Sequence, residues 1–357
     1  MRHLASVKKI SSIVPIEGRD HIVLAAVDGW SVIVRKDQFV DGDLCVYCEV
    51  DSVMPETETF EFLRSKNFRI KTMKMAGVIS QGICFPLSVL PHGSYNEGDD
   101  VTDILGIKQY EATMDIGCQK EVNATRMKWP SWLMRFAWFR SIVYKMNRRE
   151  GKGFPSFIKK TDETRIQNIP NIVEDKSPWV VTEKIDGQSG TFALVKRFGL
   201  FGPRFEYIVC SRNMRLFKED DSSFWSVSRR YSVKDCLRKM IGKNEWVAIQ
   251  GECIAPKVQK NKYRVSEPDL YVFNVLTPNG RMPSVEAMEI CSQFGLKFVP
   301  ILRTDYVLPD SVAEVIEYAH GESLIGDTMR EGLVFRSQDG VRSFKAVDPL
   351  FLLKYDE

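Results

Sequence analysis

Residues 180–190 read VVTEKIDGQSG, an apolar run that leads into a lysine, an aspartate and a glycine. If this is a β-strand, side chains alternate between faces, so Lys184 and Asp186 share one face and Gly187 ends the strand. Two chemistries fit. One is a salt bridge at a strand end, open to water. The other is a lysine nucleophile beside a carboxylate that handles a metal ion. Four residues do not separate them. Further charged side chains stand in strand-like runs downstream: Arg212 after YIVC, Glu252 inside WVAIQGECI, Glu331 opening EGLVFR and Lys345 inside SFKAV. Singly, each is a charged strand end pointing at solvent. Added to Lys184 and Asp186, they form a set of acids and bases suited to phosphate held beside a metal ion.

The elements that must position these residues fall into three regions. Residues 1–105 are β-rich, with short β-branched and aromatic runs separated by Asp28-Gly29 and Asp41-Gly42, which predicts a small barrel of the OB type. Residues 106–160 are expected to be a linker, helical in part. Within it Arg126, Lys128, Arg135, Arg140, Lys145, Arg148 and Arg149 interleave with Trp129, Trp132, Phe136, Trp138, Phe139 and Tyr144, without one acid between 126 and 149. The plainer reading is a linker helix with an aromatic packed side and a basic solvated side. The functional reading is a polyanion track, and a membrane-surface segment is a third. Residues 161–357 mix strands with helices at VKDCLRKMIG, PSVEAMEICSQFG and DSVAEVIEYAHG. The fold class expected is α+β, a barrel followed by antiparallel sheets with flanking helices.

A chain of 357 residues sets a prior of two domains, at roughly 100–200 residues each. Fifty basic against 47 acidic residues leave a net charge of +3, so a polyanion site must come from local clustering. No apolar stretch approaches the ~20 residues of a membrane span, and the N-terminus lacks the apolar core of a secretory signal. Of the eight cysteines, Cys45 and Cys48 alone form a C-x-x-C, and no second pair completes a zinc set. They read as buried strand residues of an intracellular, reducing compartment, cytoplasmic or nuclear, with an organellar address left open. A redox pair is the second choice. Nothing calls for an obligate dimer, so a monomer is expected.

The motifs then acquire a specific likeness. Lys184-Ile185-Asp186-Gly187, Ser211-Arg212-Asn213, Tyr271-Val272-Phe273-Asn274-Val275, Glu331-Gly332-Leu333-Val334-Phe335 and Phe344-Lys345 resemble, in order, motifs I, Ia, III, IV and V of the covalent nucleotidyltransferases: RNA ligases, DNA ligases and messenger-RNA capping enzymes. Twelve residues follow Lys345, too few for the domain that DNA ligases and capping enzymes place there. With the β-rich module first, the layout is similar to the nick-sealing RNA ligases with an N-terminal OB domain, the fifth RNA-ligase family. KKTDETRIQNIP and GECIAPKVQKNKY also resemble segments of that family.

The resemblance implies an ATP-dependent ligase acting on nicked RNA or an RNA-containing duplex. Lys184 would take AMP from ATP as a lysyl-adenylate. A free lysine is neutral only about once in 2,500 at pH 7, a handicap of roughly 4.6 kcal/mol, so the protein must favour the amine. Asp186 alone would do the opposite; Mg²⁺ (or Mn²⁺), held by Asp186, Glu252 and Glu331 largely through water, would resolve the conflict. Phe273 would stack on adenine, although as a pattern it reads equally well as core. Glu183 would accept from the adenine amino group, Arg212 would meet the ribose or the 5′-phosphate and Lys345 the α-phosphate. Arg165 and Gln167 are lesser nucleotide candidates, and Arg19 and Asp20 of the first module the weakest, for pyrophosphate and a second metal. Motif V usually offers two alternating lysines; here Lys345 stands alone, with Arg342 or Lys354 as substitutes. Two other functions compete: a capping-type guanylyltransferase, and a non-catalytic RNA-binding protein with an OB module.

Overall fold

The computed structural model describes residues 3–110, 153–199, 202–217 and 219–355. The basic aromatic stretch 126–149 lies outside them.

The N-terminal module is built on a long strand that serves two partners. β1 (Ala5–Pro15) pairs through residues 5–9 with β4 (Leu44–Cys48) and through residues 10–15 with β2 (Ile22–Val27). A register slip between Ile10 and Ser12 bends it at the change of partner. β3 (Trp30–Arg35) and β8 (Ile83–Pro86) are the edges of the five-stranded order β3-β2-β1-β4-β8. The chain just before β8 reaches across to β3: Gln81 N–H donates to Ser31 O at 2.9 Å and Ile33 N–H to Ser80 Oγ at 3.0 Å. This is the OB-fold half-barrel that Asp-Gly punctuation and short β-branched runs predict. β4 carries Cys45 and Tyr47 into one core and Val46 and Cys48 into another, so it reads LCVYC without polar alternation. Both cysteines of the C-x-x-C are buried free thiols, on opposite faces. Two small pairs complete the module: β5 (Ser52–Val53) with β9 (Lys108–Gln109), and β6 (Met73–Met75) with β7 (Val78–Ser80).

The second half holds two larger sheets. One has the order β10-β21-β20-β11-β19, from β10 (Thr164–Arg165), β11 (Trp179–Lys184), β19 (Ile301–Tyr306), β20 (Gly332–Ser337) and β21 (Ser343–Val347). The helix Val312–Ala319 covers it, its Val315 and Ala319 packing among Trp179, Leu333, Phe335 and Phe344. The other runs β14-β13-β12-β15-β16-β17, with β18 also on β16. Its strands are β12 (Gln188–Gly199), β13 (Gly202–Cys210), β14 (Arg215–Leu216), β15 (Trp246–Ile254), β16 (Asp269–Thr277), β17 (Gly280–Arg281) and β18 (Lys297–Phe298). Helices Ser223–Arg230, Val233–Met240 and Ser284–Gln293 pack on that sheet through Phe224, Val227, Leu237 and Cys291.

Among the described residues, strand pairing is antiparallel except at β10 with β21 and β16 with β18, two short parallel contacts that the sequence pattern does not indicate. Nor does it indicate the helices Ser223–Arg230 and Pro349–Tyr355. Each is short, and aromatic or β-branched residues weaken its intrinsic signal. Packing supplies what propensity does not. Among the described residues no helix is long and apolar enough to cross a membrane.

Candidate active site

β11 belongs to one sheet and β12 to the other, and only Ile185, Asp186 and Gly187 join them. Lys184 therefore ends a strand at the junction of the two sheets, and Asp186 lies in the connection rather than on the strand. Gly187 is required there by closeness: a Cβ would lie 2.6 Å from Cys253 O and 3.0 Å from Glu252 Cγ.

Register brings the acids in. β11 pairs with β20 so that Lys184 faces Gly332, which puts Glu331 beside it. The Lys184 ammonium donates to Glu331 Oε2 at 2.5 Å. Gly332 begins β20 because nothing larger fits; a Cβ would sit 2.2 Å from Ala346 O. β12 pairs with β15, Ser189 against Glu252, and Gly187 N–H donates to Glu252 Oε1 at 3.1 Å.

The electrostatics follow from these distances. Burial works to lower the Lys184 pKa, but the anions of Glu331, Glu252 and Asp186 outweigh it and the net shift is upward. Burial pushes the Glu252 carboxyl up to about 8, with Lys184 opposing and Glu331 and Asp186 reinforcing. Burial likewise pushes Asp186 up to about 6, Glu331 adding to it and Lys262 opposing. Three carboxylates gathered around one lysine, with Asp186 and Glu252 both pushed up, form a site short of positive charge. Among the described residues no three acidic, histidine or cysteine side chains converge closely enough to ligate one ion directly. An all-oxygen set at that spacing fits a hydrated hard cation held through water.

These residues line one cleft of about 1420 Å³. Phe273 reaches it through a bulge: Gln250 pairs with Asn274 and Gly251 with Val272, so Phe273 has no cross-strand partner and turns toward the opening. Glu183 also lines the cleft, and its carboxylate accepts from Ser323 Oγ at 2.5 Å and Leu324 N–H at 2.8 Å. Arg212, in the β13–β14 turn, and Lys345, on β21, lie 3.5 and 3.3 Å from the same oxygen of Asp162. Arg165 lies on the cleft wall and donates to Asp51 Oδ2 of the N-terminal module at 3.4 Å.

Other candidates lie elsewhere. Gln167 is fully buried (0% exposed), off the cleft wall, and its carbonyl accepts from Gly29 N–H at 3.0 Å. The strand-to-3₁₀ turn after β10 directs it inward, against the N-terminal module. Arg19 and Asp20 occupy the exposed turn between β1 and β2; that turn is at the far end of β1 from Ser6 and Lys8, which do line the cleft. Neither substitute for a second motif V lysine reaches the site. Arg342 bonds Asp175 at 2.5 Å and lies over Trp179, while Lys354 borders a separate cavity with Tyr355.

Sequence reasoning missed Lys262 and Tyr263. The Lys262 ammonium pairs with Asp186 Oδ2, and the Tyr263 hydroxyl accepts from Asp186 N–H at 2.9 Å. Both stand in GECIAPKVQKNKY, whose likeness to a family segment is the one signal the sequence offers for them.

An OB-fold domain family matches residues 4–87 and the RNA ligase family matches residues 177–355, half of the chain. A comparison with curated proteins finds no match. Among solved structures, the chain is similar to Naegleria gruberi RNA ligase with pyrophosphate, at 29% identity and TM-score 0.82 over 100% of this chain and 99% of that one. A glutamate-to-alanine variant of the same ligase with ATP and Mn matches at 28% identity and TM-score 0.82 over 100% of both chains. A lysine-to-methionine variant with AMP and Mn matches at 29% identity and TM-score 0.82 over 99% of each. Two ordered domain matches and a full-length structural likeness lead to one conclusion: the chain belongs to the RNA ligase family.

Proposed function

We propose that this ATP-dependent RNA ligase works through Lys184 and seals 3′-hydroxyl/5′-phosphate nicks in RNA or RNA-containing duplexes. The observation that carries the reading is Lys184, at the junction of two sheets, 2.5 Å from Glu331 and within the field of Glu252 and Asp186. Lys184 Nζ attacks the α-phosphorus of ATP; a P–N bond forms as the bond to pyrophosphate breaks. The AMP then passes to a 5′-phosphate end, and a 3′-hydroxyl displaces it as the phosphodiester forms. Solved Naegleria ligases with ATP, AMP, pyrophosphate and Mn support the nucleotide and the ion.

Asp186, Glu252 and Glu331 are the residues that would hold Mg²⁺ or Mn²⁺. When bound, such an ion supplies the positive charge that offsets the carboxylates and the phosphates and favours the neutral amine. The chain's own residues position the rest. Phe273 offers a stacking face for adenine. Glu183 uses two of roughly four acceptor positions on Ser323 and Leu324, leaving room for an adenine amino group. Arg212 and Lys345, which converge on Asp162, are placed to grip phosphate. Catalysis is then mainly positioning and charge neutralisation. The seven described cysteines are free buried thiols, which supports a reducing intracellular compartment. The protein is read as a monomer.

The test is covalent labelling. Incubation with Mg²⁺ and α-labelled ATP should leave label on the denatured chain, absent from Lys184→Ala. Label from GTP instead would mark a capping-type guanylyltransferase, and no label from either would return the chain to a binding role. A nicked RNA duplex should then be sealed in preference to single strands; equal use of both would overturn the nick assignment.

A further inference from the structure

Lys262 has no part in the steps above, yet it is among the most committed charges in the molecule. Its side chain is 8% exposed and pairs with Asp186. Its ammonium lies 4.6 Å from the Phe351 ring centroid and 4.9 Å from that of Tyr355, both on the helix Pro349–Tyr355. An ammonium this enclosed is costly unless an anion and an aromatic face receive it. It does not line the cleft that Asp186 lines but borders a second cavity, with Tyr355.

The backbone is bent to deliver it. Gln259, Lys260, Asn261 and Arg264 take left-handed conformations, with φ of 47°, 56°, 49° and 53°. Such angles are unfavourable in non-glycine residues and persist where surrounding contacts over-determine them. Here Asn261 closes the turn on Val265 through both side-chain atoms, at 2.8 and 3.0 Å. The result sets two adjacent residues on Asp186: Lys262 on the carboxylate and Tyr263 on the backbone N–H.

We propose that Lys262 is a positioning residue: the resident counter-cation of Asp186, holding that carboxylate in place before a divalent ion arrives and opposing the ion's uptake by its own charge. This rests on the reading of Asp186 as part of the ion site. Lys262 acts through Asp186, not on the nucleotide. Removing its charge leaves the metal-free carboxylates less well compensated and makes them more attractive to a divalent ion.

The experiment is a thermal melt of the full chain against Mn²⁺ concentration, without nucleotide, for wild type, K262M and K262R. K262M is expected to melt lower than wild type without Mn²⁺, to gain more from Mn²⁺, and to reach its half-effect at a concentration lower by on the order of tenfold. K262R keeps the charge and the aromatic contact and should track wild type. On a D186N background, where the carboxylate it pairs with has lost its charge, adding K262M should shift the Mn²⁺ midpoint by clearly less than it does in the wild type. A K262M midpoint equal to or above that of wild type overturns the proposal, as does a Mn²⁺ response absent from both. If K262M does not fold, K262Q with bound Mn²⁺ counted by electron paramagnetic resonance reads the same midpoint. The melt contains no ATP, so its result is separate from the labelling test: wild type that labels while K262M leaves the midpoint unmoved sinks the role of Lys262 and spares the ligase reading.

Discussion

The two walls of the cleft are made differently. On the nucleotidyltransferase wall, Lys184, Glu331, Glu252 and Lys345 stand on or beside central strands whose register leaves each one position. On the OB wall, Ser6 and Lys8 come from the first half of β1 and Glu49 from just past β4, and much of the polar chemistry there holds the two modules together. Trp30 Nε1–H donates to Asn168 Oδ1 at 2.6 Å, Asn168 Nδ2 donates to Glu49 Oε1 at 2.6 Å, and Arg165 reaches Asp51. The first wall concentrates unlike charges where burial strengthens them; the second spreads hydrogen bonds across an interface. Substitutions on the first should stop chemistry, and those on the second should loosen structure.

That contrast can be broken most directly at the lysines. Lys184→Ala should abolish covalent adenylation, whereas Lys8→Ala, across the cleft, should keep it within a few-fold, read by label per chain. Next come the acids: Glu331→Ala and Glu252→Ala should each slow single-turnover adenylation by on the order of 10²–10³-fold, as loss of a charge-stabilising group does. An equal loss from Lys8→Ala would erase the distinction between the walls.

Backbone closeness predicts a stability effect. Gly332→Ala forces a Cβ against Ala346 O at 2.2 Å and should cost about 3 kcal/mol or more in urea unfolding, with Lys184 displaced as β20 shifts. On the OB side, Asn168→Ala removes the hydrogen bonds that Asn168 makes to Trp30 and Glu49 and should cost about 1–3 kcal/mol, with labelling retained.

The smallest effect is a pH dependence. In the folded, metal-free protein Glu252 holds its proton up to about 8, against an ordinary 4.5. Between those values the folded state binds more protons than the unfolded chain, so stability is full below 4.5 and falls as pH rises toward 8. The melting temperature should therefore decline from pH 5 to 8 in chelator, and Glu252→Gln should flatten the decline. No such flattening would show that Glu252 is not the group responsible.

Much of the site is legible in the residues alone because its chemistry is local. Lys184, Asp186, Glu252, Glu331 and Lys345 interrupt or border apolar runs, and a charge there needs a reason. Phe273 is ambiguous for the opposite reason: an aromatic in a strand looks like core, and only the slip between Gln250 and Gly251 turns it to the cleft. β12 is hard to read from pattern although it is the longest strand of its sheet, because TFALVKRFG lacks clean alternation. Gln167 shares a short segment with Arg165 and both are buried, yet only Arg165 lines the cleft, a difference set by a turn that no periodicity records.

By itself, then, the sequence determined the kinds of chemistry available, the order of the motifs and the β-rich character of the first module, because these depend on residue type and short-range period. Only the tertiary structure decided which charges meet. Glu331 is 147 residues from Lys184 and Lys262 is 76 from Asp186. Pairing at those separations is set by strand register and by the left-handed turn before Tyr263, and a shift of one residue in either would point the side chains elsewhere.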